Sequence, residues 1–287
     1  MYRILALSFC LFAVAARADF VVSHTFSEQD LDVPSNVSYE VQLLILALDA
    51  TVDDFGDYDL QPVDRSMSQP RAIEMMETNR YPNYVRTLGY NQTLSEKHEL
   101  AFVRFPAYLG VLGYRTCFIS ELIKDKFSSS ITKEELLQYS HAIGLGWADK
   151  EILRDNGFEV FEISDWNSMY LMTAKNRVDL FCRGAGEVLN DYRENIGMKG
   201  LAYDRDIAIY YPLPHFFYTN KNNKKLISRL TIGLERIYKN GKLEDLWLSE
   251  FQESLRFARL ENRKLFKFSS PLVHSIDFDY EKYVYQP

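Results

Sequence analysis

The sequence holds almost nothing from which a metal centre or a covalent catalyst is built. Its five histidines and three cysteines are scattered. There is no C-x-x-C pair, no Cys/His spacing suited to zinc, no nucleophile elbow and no serine triad. Basic residues are outnumbered, giving a formal charge of -7, and they are dispersed along the chain. Phosphate neutralisation needs a concentrated basic face, so no nucleic-acid partner is expected. Beyond the first twenty residues no apolar run is long enough to cross a bilayer. Internal repeats and low-complexity tracts are also missing.

What is present begins with an export signal. Arg3 supplies a positive start, Ile4 to Ala16 form an apolar run too short to span a membrane, and Ala16-Arg17-Ala18 is an A-x-A cleavage pattern. Residues 1–18 therefore read as a signal peptide, and the product as a periplasmic protein starting near Asp19. Cleavage removes Cys10 and leaves Cys117 and Cys182. In an oxidising compartment these two could pair, or each could stay a buried thiol inside "TCFIS" and "LFCRG". Both possibilities stay open.

Hydrophobic period and turn chemistry alternate between strand and helix through most of the mature chain, an α/β pattern. "FVVSHTF" is a strand, and Ser38 caps a helix striped by Val41, Leu44, Ile45 and Leu48. Strands at "YDLQPVD" and "YVRTLGY" flank a helix near Arg71 to Thr78. Thr132 and Glu135 have capping-box spacing. "HAIGLG" and "FEVFEI" are strands around a helix from Asp149 to Asn156, with Gly157 as its left-handed stop. A helix carrying Trp166, Met169, Tyr170 and Thr173 leads to the buried strand "RVDLFCR". The long apolar stretches at 105–120 and 207–219 are broken by glycine or proline, so each reads as two extended pieces around a bend. Two amphipathic helices follow, marked by Leu226, Leu230, Leu234 and Ile237 and by Leu246, Trp247, Phe251 and Leu255. The aromatic tail from Asn262 reads as an ordered wrap.

The order of "MSQPRAIEMMETNR", "FPAYLGVLGYR", "GLGWADKEILRDNGFEV", "NRVDLFCRGAGEV" and "IYYPLPHFFYTNKNN" resembles the family 3 extracellular solute-binding proteins, nearest a divergent ABC transporter substrate-binding-like branch. The likeness spans nearly all of residues 20–260. It implies the periplasmic binding protein type II-like fold: two α/β lobes joined by two crossing strands. Lobe one would be discontinuous, from 19–112 and 213–287, and lobe two would be 113–212. A small-molecule solute would bind between them and draw them together. A monomer that hands its solute to an inner-membrane ABC permease is implied, or an orphan binder. A periplasmic sensor or adaptor is the alternative, and a cyclohexadienyl dehydratase-like enzyme a further one. No cofactor and no metal is expected, since the G-x-G alone is weak grounds for a dinucleotide site.

Candidate ligand residues follow from the resemblance and from side-chain chemistry. In ordinary members the lobe-two strand-to-helix turn offers N–H groups to a ligand carboxylate, and here that turn is Gly146-Trp147-Ala148-Asp149. Helix N-termini suit anions, although Asp149 is itself a good cap. Trp147 is either a ligand wall or a packing anchor. Arg183 ends an apolar strand where open α/β sheets meet ligands, and it either faces the cleft or pairs with Glu187. Gln69 and Arg71 open a lobe-one helix with Pro70, as cleft or as surface residues. Thr93 follows a lobe-one strand. The arginine that clamps amino-acid carboxylates in ordinary members is missing near Glu96 and Lys97, and the acid that holds the amino group falls near Gly184. An α-amino acid ligand therefore does not follow, and a small polar, anionic solute is expected. His24 is a cleft residue or a turn cap, and His215 reads as structural.

Overall fold

A computed structural model describes residues 20–27, 37–64 and 67–286, so the expected leader lies outside the described part. Lobe one begins with β1 (Val21–Thr25), α1 (Tyr39–Asp49), α2 (Val52–Phe55) and β2 (Asp59–Val63). It continues through α3 (Gln69–Glu77), β3 (Arg86–Gly89), α4 (Gln92–Lys97) and β4 (Leu100–Phe102). Ser38 is the N-cap of α1 as expected, yet its side chain makes no capping bond. Instead the Gln42 side chain donates to Val37 O at 2.7 Å and fastens the first turn.

The chain then crosses into lobe two through β5 (Tyr114–Ser120), whose seven residues are all buried. Next come α5 (Lys133–Leu136), β6 (His141–Gly144), α6 (Asp149–Asp155), β7 (Val160–Ile163), α7 (Trp166–Ala174), β8 (Leu180–Gly184) and α8 (Val188–Asn195). β9 (Leu201–Tyr203) and β10 (Ile207–Tyr210) complete this pass. Both arms of the Thr132/Glu135 capping box form. Gly157 stops α6 at φ +92. Pro212 and Pro214 hold the return crossing extended before β11 (His215–Asn220), α9 (Lys224–Lys239) and α10 (Lys242–Ala258).

In lobe one β1 and β2 pair in parallel, and β11 lies between β3 and β4, antiparallel to both. A Ser23 to Tyr84 bridge ties the two ladders together. The apolar stripe of α9 packs on α1, and Leu226, Leu230 and Leu234 are fully buried. Each such side chain contributes about 1.5–3 kcal/mol of burial. Lobe two is one sheet in the order β12-β10-β5-β8-β6-β7, with β9 against the far part of β5. Here β12 is Lys264–Lys267, and it pairs in parallel with β10.

That pairing corrects the expectation that 213–287 stays wholly on lobe one: β12 adds a strand to lobe two, and α10 packs on both α1 and α8. Lys264–Lys267 carried too short a pattern to show its partner. Cys117 and Cys182 are not separate thiols. They stand opposite each other on antiparallel β5 and β8 and form a disulfide.

Candidate functional site

The two crossings run side by side, with Tyr211 N donating to Gly113 O at 3.2 Å. Beside them lies a cavity of about 180 Å³ between the lobes. Its lobe-one wall includes Gln69, Thr87 and Gly89, and its lobe-two wall Trp147, Trp166, Arg183 and Glu187. Arg115, Asp149 and His215 line it from the crossing side. Pockets for drug-sized ligands run to roughly 300–1,000 Å³, so the space suits a compact solute.

The "GLGW" turn owes its glycines to shape. A Cβ on Gly144 would lie 2.3 Å from the Trp147 ring, so only glycine lets the indole fold over the strand end. Gly146 sits at φ +81, a conformation that side-chain-bearing residues rarely take. Its N–H donates to Glu162 Oε1 at 3.2 Å, and its carbonyl accepts from Gln69 Nε2 at 2.9 Å. Gly146 itself therefore offers no free amide, contrary to expectation; its carbonyl bonds the two lobes across the cleft mouth. Trp147 does line the cavity.

Asp149 is not a helix cap either. The N-cap is Ala148, and the Asp149 carboxylate turns to the crossings, where Oδ1 lies 2.8 Å from Arg115 Nη2 and accepts from Tyr211 Oη at 2.6 Å. Burial is the largest influence on the Arg115 guanidinium and lowers it, but Asp149, Tyr211 and Glu187 together outweigh burial and hold the group above its ordinary range. Arg115 Nε is buried and has no acceptor. Such orphan donors are uncommon in folded proteins.

Arg183 lies in the cavity wall and is paired as well. Nη2 is 3.1 Å from Glu187 Oε2 and Nε donates to Asp191 Oδ2 at 2.6 Å. Its guanidinium carbon stands 4.6 Å from the Trp166 ring and 5.6 Å from Trp147. Burial opposes its charge, yet the two carboxylates raise the group above the usual arginine range. Both alternatives for Arg183 hold together: it faces the cleft and it is neutralised by Glu187. His215 also lines the cleft, with burial holding its imidazole below the ordinary value.

Four expected residues, Gln69, Trp147, Arg183 and Glu187, come together at this cavity, and Gly146 guards its mouth. Two do not. Arg71 is exposed on the first turn of α3, and Thr93 uses its amide on the Asn91 side chain at 2.9 Å, away from the cavity. His24 is buried in lobe one with Nδ1 2.6 Å from Val85 O. Arg115, Trp166, Thr87 and His215 also line the cavity, and none of them was among the expected ligand residues. One signal was available for Arg115: it is the charged residue in the otherwise uncharged run "YRTCFIS".

No protein-family model and no curated protein sequence matches the chain. Solved structures do. The Salmonella typhimurium periplasmic binding protein described for high arginine specificity superposes with a TM-score of 0.57 at 10% identity, over 81% of this chain and 98% of that one. A P235GK mutant of ArgBP from T. maritima gives 0.55 at 16% identity, over 81% and 95%. A histidine kinase sensor domain similar to periplasmic binding proteins gives 0.52 at 14% identity, over 80% and 95%. The chain thus has the two-lobe α/β fold of periplasmic binding proteins of type II.

Proposed function

We propose that this protein is a periplasmic solute-binding protein that encloses a small polar solute of no net charge between its lobes. One observation carries the reading: the inter-lobe cavity is lined by two arginines, and each already holds a carboxylate, Arg115 with Asp149 and Arg183 with Glu187. A bare anion would have to displace a carboxylate from an arginine or sit beside it unpaired, at a cost of several kcal/mol. The expected anionic solute therefore gives way to an uncharged or zwitterionic one with both donors and acceptors. Flat walls at Trp147 and Trp166 favour a solute with an apolar face.

The uptake role implied by the resemblance requires an inner-membrane ABC permease. The likeness to a kinase sensor domain keeps the sensory alternative in play. For a dehydratase-like enzyme, Asp149 and Glu187 would have to move protons, and their pairing to arginine favours binding over turnover.

Thermal-shift measurements over matched acid, amide, amine and polyol solutes test the reading, because a ligand of the folded state raises stability by RT ln(1 + [L]/Kd). Neutral or zwitterionic members should raise the melting temperature and their acids should not. Arg183→Ala should weaken binding at least about tenfold, the equivalent of about 1.4 kcal/mol, and Arg71→Ala should leave it unchanged. Stabilisation by acids alone contradicts the charge argument, and turnover of prephenate or arogenate contradicts the binding role.

A further inference from the structure

After β12 the tail runs from lobe two back to lobe one. Arg263 anchors it to lobe two through bonds to Asp204 O, Ile207 O and the Tyr203 hydroxyl, at 2.9–3.1 Å. β12 then pairs with β10, and Asn156 at the end of α6 donates to Ser269 O at 2.8 Å. The Pro271–Ser275 turn packs on α6, and Leu272 is buried in a core that holds Ile152, Leu153 and Phe158 of lobe two together with Tyr90 and Phe216 of lobe one.

Three residues later the tail is on lobe one. Ser275 Oγ lies 3.0 Å from the Tyr90 hydroxyl, and Arg104 Nη1 reaches both Asp277 carboxylate oxygens at 2.7 Å. Phe278 packs on Phe102 and Phe216. The end of the tail docks on the crossing itself: Tyr285 N donates to Leu109 O at 2.8 Å, and Val284 fills the place a Cβ on Gly110 would take.

We propose that Lys264 to Tyr285 is an inter-lobe strap that sets how far the cleft opens. The tether between its two sets of anchors is short. Pro271–Ser275 is a 3-10 turn. With a rise of about 2.0 Å per residue against about 3.4 Å when extended, the three residues from Leu272 to Ser275 hold slack of only about 4 Å. Both anchors sit on elements that reach the cleft: α6 starts at cavity-lining Asp149 and carries Asn156 at its other end, and Tyr90 follows cavity-lining Gly89. Wider hinge opening therefore requires either undocking an anchor or a longer tether. This inference concerns lobe closure and holds whatever the solute is.

The decisive variant lengthens the tether and leaves every anchor in place: an insertion of about eight Gly/Ser residues between Val273 and His274, flexible enough to relax the link. Small-angle scattering of the full chain without added solute should fit closed lobes. The insertion variant should show a larger radius of gyration and faster acrylamide quenching of tryptophan, with unchanged far-ultraviolet circular dichroism. Should the insertion impair folding, the Asp277→Ala/Phe278→Ala double variant takes its place and should shift scattering in the same direction. Scattering from the lengthened or loosened variants identical to the parent's overturns the proposal, and so does a parent chain that is already open.

Discussion

Arg115 on the first crossing and Asp149 at the head of α6 form a buried ion pair of 2.8 Å, and Tyr211 on the second crossing donates to the same carboxylate oxygen. The pair thereby joins both connections to the lobe-two wall of the cleft.

Losing one member leaves a buried charge unpaired. Asp149→Ala should destabilise the protein by about 3–5 kcal/mol, whereas an Arg115→Met/Asp149→Leu double variant should recover most of that loss. Tyr211→Phe removes a hydrogen bond to a charged group and should cost about 1.5–3 kcal/mol. Urea denaturation of the four proteins checks the order. A double variant as unstable as the Asp149 single variant would contradict it.

Acid should destabilise the fold through its buried imidazoles. Burial lowers His24, His141 and His215, His141 to about 3. An imidazole depressed in the folded state binds its proton more readily once unfolded. Its contribution is therefore complete above the ordinary value near 6.5 and is lost as pH falls from there toward 3, by up to about 1.4 kcal/mol per pH unit. His141 stacks edge-on to Phe158 and its Nε2 has no partner. His141→Phe should make stability between pH 6.5 and 4.5 visibly less steep, read from urea midpoints at stepped pH.

The two glycines of the cleft turn should fail differently. Gly144→Ala drives a methyl into the Trp147 ring, so near-ultraviolet circular dichroism should change and solute binding should fall. Gly146→Ala meets only Pro70 at 3.5 Å but keeps φ +81, and should cost about 1–2 kcal/mol with the tryptophan signal preserved.

The Cys117–Cys182 bridge closes a loop of sequence separation 65. On the loop-closure model its removal costs about 4 kcal/mol. A Cys117→Ala/Cys182→Ala variant should lose denaturation midpoint to match, and the parent should lose as much in dithiothreitol.

The alternation of strands and helices was legible because each element carries its own period or cap: the stripe of α9, the Thr132 capping box, the prolines before β11. Arg183 and Trp147 were legible as strand-end and turn residues. Pairings between distant segments were not. Nothing local to "HAIGLGWAD" says that Asp149 seeks an arginine on β5 instead of its own helix amides, and nothing in "KLFK" says which edge it joins. The cross-strand cysteines became a bridge only through the β5–β8 register. Charge balance in the cleft, which decides the solute class, is likewise a property of which carboxylate meets which arginine.

Of the three tryptophans in the chain, two, Trp147 and Trp166, stand in the cleft wall beside Arg183, and Trp247 is buried in the lobe-one core. The molecule accordingly carries its own optical gauge. When a guest displaces the guanidinium the two cleft indoles change surroundings, while Trp247, which packs on Tyr285 of the strap, reports separately on that segment.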